Sequence, residues 1–427
     1  MTVAATGSVV IPVARLRGRL ELPADKSIAH RALIFGALSG GPSGVTMRSP
    51  GRDVLSTLDC LRALGVTVEQ IGERYLLSGH PTRDAHLDCG NSGTTMRLLA
   101  GVAAGLGLRV TFEGDASLRA RPMERVAAIL RDMGASVTTT DGHAPMTVIG
   151  SASPRSAAHH LPVASAQLLG AAVLAGMSAS GETTVTSPGP TRDHTERMLA
   201  FMGVSIHRDG AATTVGGPAR PRPFEMTVPG DPSAASAWLV ASAIHADAEL
   251  TMAGVGLNPT RLGLVALLQR MGVQIETHLT DVSGPEPVGD ITVRGGRPLR
   301  AVNVSAGEVA DLIDELPLVA IAMASVNEPS EVRDAGELRV KETDRIAAVV
   351  AGLSAIGAEV EELADGWRVR RGSPRVSRIT THGDHRIAIA FAVAGLTGMA
   401  TSVELDDPDC VAVSYPDFWT DLVRVGS

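Results

Sequence analysis

The five-residue pattern Leu-x-x-φ-Gly, where φ is apolar, recurs along the chain at nearly constant spacing. Its glycines are Gly65, Gly134, Gly203, Gly272, Gly357 and Gly426, separated by 69, 69, 69, 85 and 69 residues. Five copies continue into a short alternating run, as in Val66-Thr67-Val68 and Val273-Gln274-Ile275. A fixed period dictates architecture, because each repeat is one supersecondary unit that buries its apolar face against its neighbours. The unit here reads as an amphipathic helix closed by glycine, which takes a left-handed C-terminal cap without a Cβ clash. A strand of period two follows it. The chain is therefore expected to be α/β and to use one small unit six times.

Each repeat also holds a second, more apolar helix, at residues 32–38, 98–106, 168–174, 237–244, 318–324 and 387–396. Helices that are apolar all round belong inside a domain. Aromatic residues make up only 3% of the chain while glycines number 46, so Ala, Val, Leu and Ile must fill the core. That composition suits closely packed helices. Residues 161–181 are uncharged and long enough to suggest a membrane span. Their Pro162, Ser165, Gln167, Ser178 and Ser180, and the matching segments in other repeats, argue instead for a buried helix.

Polar groups precede all six apolar helices: Lys26-Ser27, Asn91-Ser92-Gly93-Thr94, Ser165-Ala166-Gln167, Asp231-Pro232-Ser233, Asp314-Glu315 and Asp384-His385-Arg386. Some are helix caps. Capping does not explain Lys26 or Arg386, because a cation is unfavourable at a helix N-terminus. Arg52, Arg121, Arg192, Arg261 and Arg345 lie near the starts of the glycine-closed helices. Unpaired N–H groups, aligned dipoles and nearby cations together make an anion site.

The sixth unit ends just after Gly426 and lacks its strand, whereas residues 8–22 form a strand-like run without a unit. The first residues are expected to complete the last unit. That arrangement gives one domain of residues 23–229 and a discontinuous one of residues 1–22 plus 230–427, three repeats each. Crossovers near Leu22-Pro23-Ala24 and Val228-Pro229-Gly230 would form a two-strand hinge that closes on ligands in the cleft.

A net charge of −8 argues against a general nucleic-acid or membrane-surface binder. It permits an anionic substrate if the cations are focused. Cys60, Cys89 and Cys410 show neither metal-ligand spacing nor a disulfide framework. Residues 9–13 are too short an apolar run for a signal peptide, and Arg15, Arg17 and Arg19 follow them. A cytoplasmic protein is expected.

The polar clusters also read together. They are Asp25-Lys26-Ser27-x-x-x-Arg31, Gly90-Asn91-Ser92-Gly93-Thr94-Thr95-Met96-Arg97, Arg119-Ala120-Arg121-Pro122, Ser165-Ala166-Gln167, Thr191-Arg192-Asp193-His194-Thr195-Glu196, Val228-Pro229-Gly230-Asp231, Asp314-Glu315-Leu316-Pro317, Arg339-Val340-Lys341-Glu342-Thr343-Asp344-Arg345 and Gly383-Asp384-His385-Arg386. In this order the chain resembles the 5-enolpyruvylshikimate-3-phosphate synthase family. The resemblance implies a two-domain enolpyruvyl transferase-like fold, an inside-out α/β barrel of six βαβαββ units. It implies transfer of the enolpyruvyl group of phosphoenolpyruvate to the 5-hydroxyl of shikimate 3-phosphate, with release of phosphate. The route is addition and elimination through a tetrahedral intermediate. Neither a cofactor nor a metal is implied; the partners are the two substrates, and a monomer is expected.

Site roles follow by the same resemblance. Asp314 is the expected base for the hydroxyl, with N-capping as its structural alternative. Glu342 is the expected proton donor to the methylene carbon, which requires a raised pKa; its alternative is an ion pair with Arg345 three residues on. Lys26 is expected to contact both substrates and to move protons if burial lowers its pKa. Lys26, Ser27, Arg31, Ser165, Gln167, Arg192, Asp314 and Lys341 are expected to hold shikimate 3-phosphate. Lys26, Gly93, Arg121, Gln167, Arg345 and Arg386 are expected to hold phosphoenolpyruvate. His30 is expected to be structural. Val413 stands where some members carry a lysine, which removes one phosphoenolpyruvate contact. Gly93 implies sensitivity to glyphosate, which occupies the phosphoenolpyruvate site in this family.

Two rivals remain. The transferase acting on UDP-N-acetylglucosamine shares the fold, but it usually carries a cysteine in the loop that here reads Gly114-Asp115-Ala116-Ser117-Leu118-Arg119. A non-catalytic repeat scaffold would explain the period but not the gathered cations and carboxylates.

Overall fold

A computed structural model describes residues 9–151 and 153–426. Five of the six repeat glycines adopt the left-handed conformation, with φ of 98° at Gly65, 99° at Gly134, 81° at Gly203, 100° at Gly272 and 95° at Gly357. Gly426 differs, with φ of −92°.

The chain divides into two compact units. One comprises Ala24–Val228 with Ser283–Glu286; the other comprises the described residues through Pro23, then Pro229–Val282 and residues from Pro287 onward.

In the first unit each repeat builds one four-stranded sheet, seen most plainly in the second. Strand Ala85–Asp88 leads through the apolar helix Gly93–Leu106 to a parallel strand, Arg109–Glu113. The glycine-closed helix Glu124–Asp132 then leads to the antiparallel hairpin Ser136–Thr140 and His143–Ile149, and the second hairpin strand pairs back onto Arg109–Glu113. The third sheet repeats this order with Ala158–His160, Gly181–Thr186, Ala212–Gly217 and Ile206–Asp209. The first takes its edge strand from the far end of the unit, where Glu225–Thr227 pairs in parallel with Ser43–Thr46.

The other unit follows the same plan with one departure from expectation. The strand-like run at residues 8–22 serves two sheets instead of one. Val9–Val10 pairs antiparallel with Ser402–Leu405 of the sixth repeat, while Leu16–Glu21 pairs in parallel with Ala248–Gly256 of the fourth. Ser8 lies outside the described residues. Pro12, with no backbone N–H to donate, falls in the break between the two strands. The long fourth interval holds an extended hairpin, Gln274–Asp281 with Val288–Arg294, whose turn includes Ser283–Glu286.

The apolar helices, Lys26–Leu38, Gly93–Leu106, Ala166–Gly176, Pro232–Ile244, Leu316–Met323 and His385–Leu396, are almost wholly buried and form the inner layer of each unit. Small residues let them approach closely. A Cβ added at Gly101 would lie 2.3 Å from the carbonyl oxygen of Ala171 on the next inner helix. The stretch at residues 161–181 contains one buried helix of 11 residues, and no described helix is long and apolar enough to cross a membrane.

Candidate active site

The heads of the inner helices carry many of the sequence-predicted side chains. Five of them are capped by a side chain that accepts a backbone N–H: Asp25 from Ile28, Ser92 from Thr95, Ser165 from Leu168, Asp231 from Ser233 and Asp384 from Arg386. The capping reading therefore holds for these residues. It leaves the cations beside them to be explained.

In the first unit, Lys26 begins its helix and pairs with Asp53 at the start of the next one. Arg31 lies one turn further on and is 3% exposed. Its Nε donates to Thr195 Oγ1 at 2.8 Å and its Nη1 to the Ser27 carbonyl at 2.9 Å. Burial pulls its pKa down to about 10, with Glu196 and Asp25 opposing, so it stays charged at neutral pH. Arg192 is close enough to add repulsion. His30 is fully buried beside Thr57, with Nδ1 at 2.7 Å from Oγ1. Burial, and then Lys26 and Arg31, hold its pKa well below the usual value, so the ring is neutral. The hydroxyl chain continues through Thr95 to Ser92, both steps 2.7 Å. His30 thus supports the loop before Gly93, the structural role expected for it.

That loop leads to a tightly tied arginine pair. Arg121 donates from Nη2 to Asn91 Oδ1 at 2.6 Å. Arg97 donates from Nη1 to Gln167 Oε1 at 2.8 Å, and Gln167 Nε2 donates in turn to Thr94 Oγ1 at 2.9 Å. Both ends of the Gln167 amide are fixed. A Cβ at Gly93 would stand 2.5 Å from Arg97 Nη1 and 3.4 Å from Arg121 Nη1, so the guanidinium groups occupy the space a side chain would need.

In the second unit, Arg345 is 1% exposed and opens its helix. Its Nε and Nη2 hold the two Asp384 oxygens at 2.8 and 3.2 Å, while Nη2 also meets Glu342 at 2.7 Å. Nη1 reaches Asp314 only at 3.8 Å. Burial alone would lower the Arg345 pKa, but the carboxylates of Asp384, Glu342 and Asp314 outweigh it and raise the value. Lys341, half-buried beside them, is shifted down by desolvation. Asp384 is fully buried and accepts from the Arg386 N–H at 2.8 Å, so one carboxylate fixes two arginines of the motif set. The Arg386 side chain has no ion pair among the described residues and remains partly exposed. Val413 ends a short 3-10 turn and brings no charge.

The sequence-predicted residues therefore fall into two groups. Lys26, Ser27, Arg31, Gly93, Arg121, Ser165, Gln167 and Arg192 belong to the first unit; Asp314, Lys341, Glu342, Arg345 and Arg386 belong to the second. Within the second, the structure brings Asp314, Glu342 and Arg345 together. Sequence reasoning assigned no site role to Arg97, Asp53 or Asp384. Arg97 and Asp384 stood within quoted motifs, one helical turn after Gly93 and directly after Gly383, and that placement was the available signal.

Comparison with known proteins gives a consistent result. The sequence model of the family described as EPSP synthase (3-phosphoshikimate 1-carboxyvinyltransferase) matches residues 10–422. The 3-phosphoshikimate 1-carboxyvinyltransferase of Roseiflexus castenholzii is 46% identical over 423 residues, covering 96% of this chain and 97% of its own. That of Limosilactobacillus fermentum is 47% identical over the same length, with the same coverage. A solved EPSP synthase from Acinetobacter baumannii superposes with a TM-score of 0.86 at 35% identity, covering 98% of each chain. The enolpyruvyl transferase NikO from Streptomyces tendae shares the fold, with a TM-score of 0.78 at 20% identity over 98% of this chain and 97% of its own. These relatives disfavour the UDP-N-acetylglucosamine rival. By family match, identity and fold, the chain belongs to the EPSP synthase family.

Proposed function

We propose that this chain transfers the enolpyruvyl group of phosphoenolpyruvate to the 5-hydroxyl of shikimate 3-phosphate and releases phosphate. Asp314 takes the hydroxyl proton and Glu342 protonates the methylene carbon. Lys26 bridges the substrates. Ser27, Arg31, Ser165, Gln167, Arg192, Asp314 and Lys341 hold shikimate 3-phosphate. Gly93, Arg121, Gln167, Arg345 and Arg386 hold phosphoenolpyruvate.

The observation that carries this reading is the ionic cluster around Arg345. Arg345 and the neighbouring Lys341 stand with three carboxylates, Asp314, Glu342 and Asp384. The Nη1 contact of Arg345 with Asp314, at 3.8 Å, is the longest of its ion pairs, and arginine's planar fork suits phosphate and carboxylate alike. An arriving anion adds negative charge beside these carboxylates, which favours uptake of a proton. Glu342, which gives up part of its hold on Arg345 as the anion binds, is the group best placed to take that proton. The ion-pair alternative for Glu342 is then the resting state of the same residue, and the two readings are successive. Addition creates the tetrahedral intermediate. Elimination returns a proton from the new methyl group to a base and breaks the bond to phosphate, which leaves into these cations, whose preorganised charge stabilises it.

Shikimate 3-phosphate binds first in this scheme. Each chain carries every named residue, so a monomer suffices, and the reaction is placed in the cytoplasm. The test is to measure turnover and binding in Asp314→Asn and Glu342→Gln. Both should lose phosphate release by about 100-fold or more, the scale of general acid–base catalysis, while still binding shikimate 3-phosphate. Retained turnover in either variant would remove that residue from its role.

A further inference from the structure

The fourth repeat holds a buried arginine that the substrate scheme does not use. Arg261 closes a short 3-10 turn, Pro259–Arg261, whose start is fixed by Asn258 accepting from the Thr260 N–H at 2.9 Å. It stands 11 residues before its repeat glycine, as Arg192 does, and Arg345 stands 12 before its own. By register it is the counterpart of two arginines assigned to ligands. Its surroundings differ. Its side chain is 2% exposed, and Nη2 is engaged with Asp231 Oδ1 at 3.0 Å and Ser233 Oγ at 2.8 Å. The Ser233 hydroxyl, receiving that bond, donates to Glu315 Oε1. Glu315 is 5% exposed and immediately follows Asp314.

We infer that Arg261, acting through Ser233 and Glu315, is a positioning residue for the Asp314 carboxylate. The inference rests on the assignment of Asp314 as base. Asp314 lies in the turn between helices Ala306–Leu312 and Leu316–Met323, a side chain 22% exposed whose ion pair with Arg345 is long, at 3.8 Å. The backbone of that turn sets where its Cα sits and so contributes to its direction. Two bonds fix the turn next door: the Glu315 N–H donates to the Leu312 carbonyl at 2.8 Å, and the Glu315 carboxylate is tied to Ser233. The guanidinium holds two buried carboxylates, Asp231 and Glu315, near each other. Without it the two carboxylates repel in a site of low polarity, which strains the head of Leu316–Met323 beside Asp314. The register also matches. Arg345 ties the head of the sixth inner helix through Asp384, and Arg261 ties the head of the fifth through Ser233 and Glu315.

The test is a double-mutant cycle on kcat, with KM for both substrates measured in parallel. Ser233→Ala removes the link and leaves the Arg261–Asp231 pair; Arg261→Met removes the anchor, and the milder Ser233 variant stands in if that protein does not fold. Expected is a fall in kcat of about 10- to 100-fold, the cost of displacing a reacting group by about 1 Å, with both KM values within about twofold. In the Asp314→Asn background the same Ser233→Ala change should have no further effect on kcat. An equal fall in both backgrounds, a rise in KM with kcat intact, or unchanged kcat in the single variants would each overturn the positioning role. Full kcat in Asp314→Asn alone would instead overturn the base assignment, a distinct result, and this inference with it.

Discussion

Replacing Gly93 by alanine perturbs the site through a single methyl group. The added Cβ would lie 2.5 Å from Arg97 Nη1, where ordinary contact begins at 3.4 Å. The guanidinium must retreat by about 1 Å. It is the far end of a flexible side chain, so the movement itself is easy. Its consequence is the loss of the 2.8 Å bond to Gln167 Oε1, which stretches beyond hydrogen-bonding range. A hydrogen bond to a charged group contributes about 1.5–3 kcal/mol, and each 1.4 kcal/mol is about tenfold in affinity. KM for phosphoenolpyruvate should therefore rise about 10- to 100-fold. Gln167 is assigned to both substrates, so affinity for shikimate 3-phosphate should fall too, but by less, since Ser27, Arg31, Ser165 and Lys341 are untouched. Inhibition by glyphosate should weaken with the same displacement. Steady-state kinetics and calorimetric titration of shikimate 3-phosphate would read both quantities. An unaltered KM for phosphoenolpyruvate, or an equal loss for both ligands, would refute the reasoning.

Gly101→Ala makes the opposite case, because its Cβ meets a rigid backbone carbonyl at 2.3 Å; it should lower stability by about 1–3 kcal/mol, read by denaturant unfolding. Asp384→Ala leaves Arg345 buried without its bidentate partner and should cost about 3–5 kcal/mol along with turnover; a thermal midpoint equal to wild type would contradict the buried pair. His30 is held neutral, so the unfolded state takes up a proton first as pH falls below the ordinary imidazole pKa of 6.5. Stability should therefore drop below pH 6.5 by up to about 1.4 kcal/mol per pH unit, and His30→Gln should flatten that slope in urea titrations run from pH 7 to pH 5.

The sequence carried the repeat unusually well, because the glycine cap that ends each outer helix admits few other residues. The Leu-x-x-φ-Gly spacing alone marked where five of the six outer helices turn back into strands. It also separated the buried helices from the amphipathic ones, and so marked which helix heads bear polar groups. Pairing partners were less legible. Nothing in the spacing of Arg345 says that its carboxylate is Asp384, 39 positions on, since a tertiary ion pair leaves no local pattern. For the same reason Arg261 showed its register but not its partners. The run at residues 8–22 looked like one strand because alternation reports a strand and not which sheet it joins. For Glu342 the pairing with Arg345 was foreseeable from the i,i+3 spacing, whereas the surrounding carboxylates were not, since Asp314 and Asp384 reach it from distant segments.

The most direct test is phosphate release from phosphoenolpyruvate, measured with shikimate 3-phosphate and, separately, with UDP-N-acetylglucosamine as acceptor. Release with shikimate 3-phosphate alone is the predicted result. Release only with the nucleotide sugar would keep the fold and the anion-binding helix heads but contradict the proposed acceptor, and release with neither would contradict the proposed activity itself.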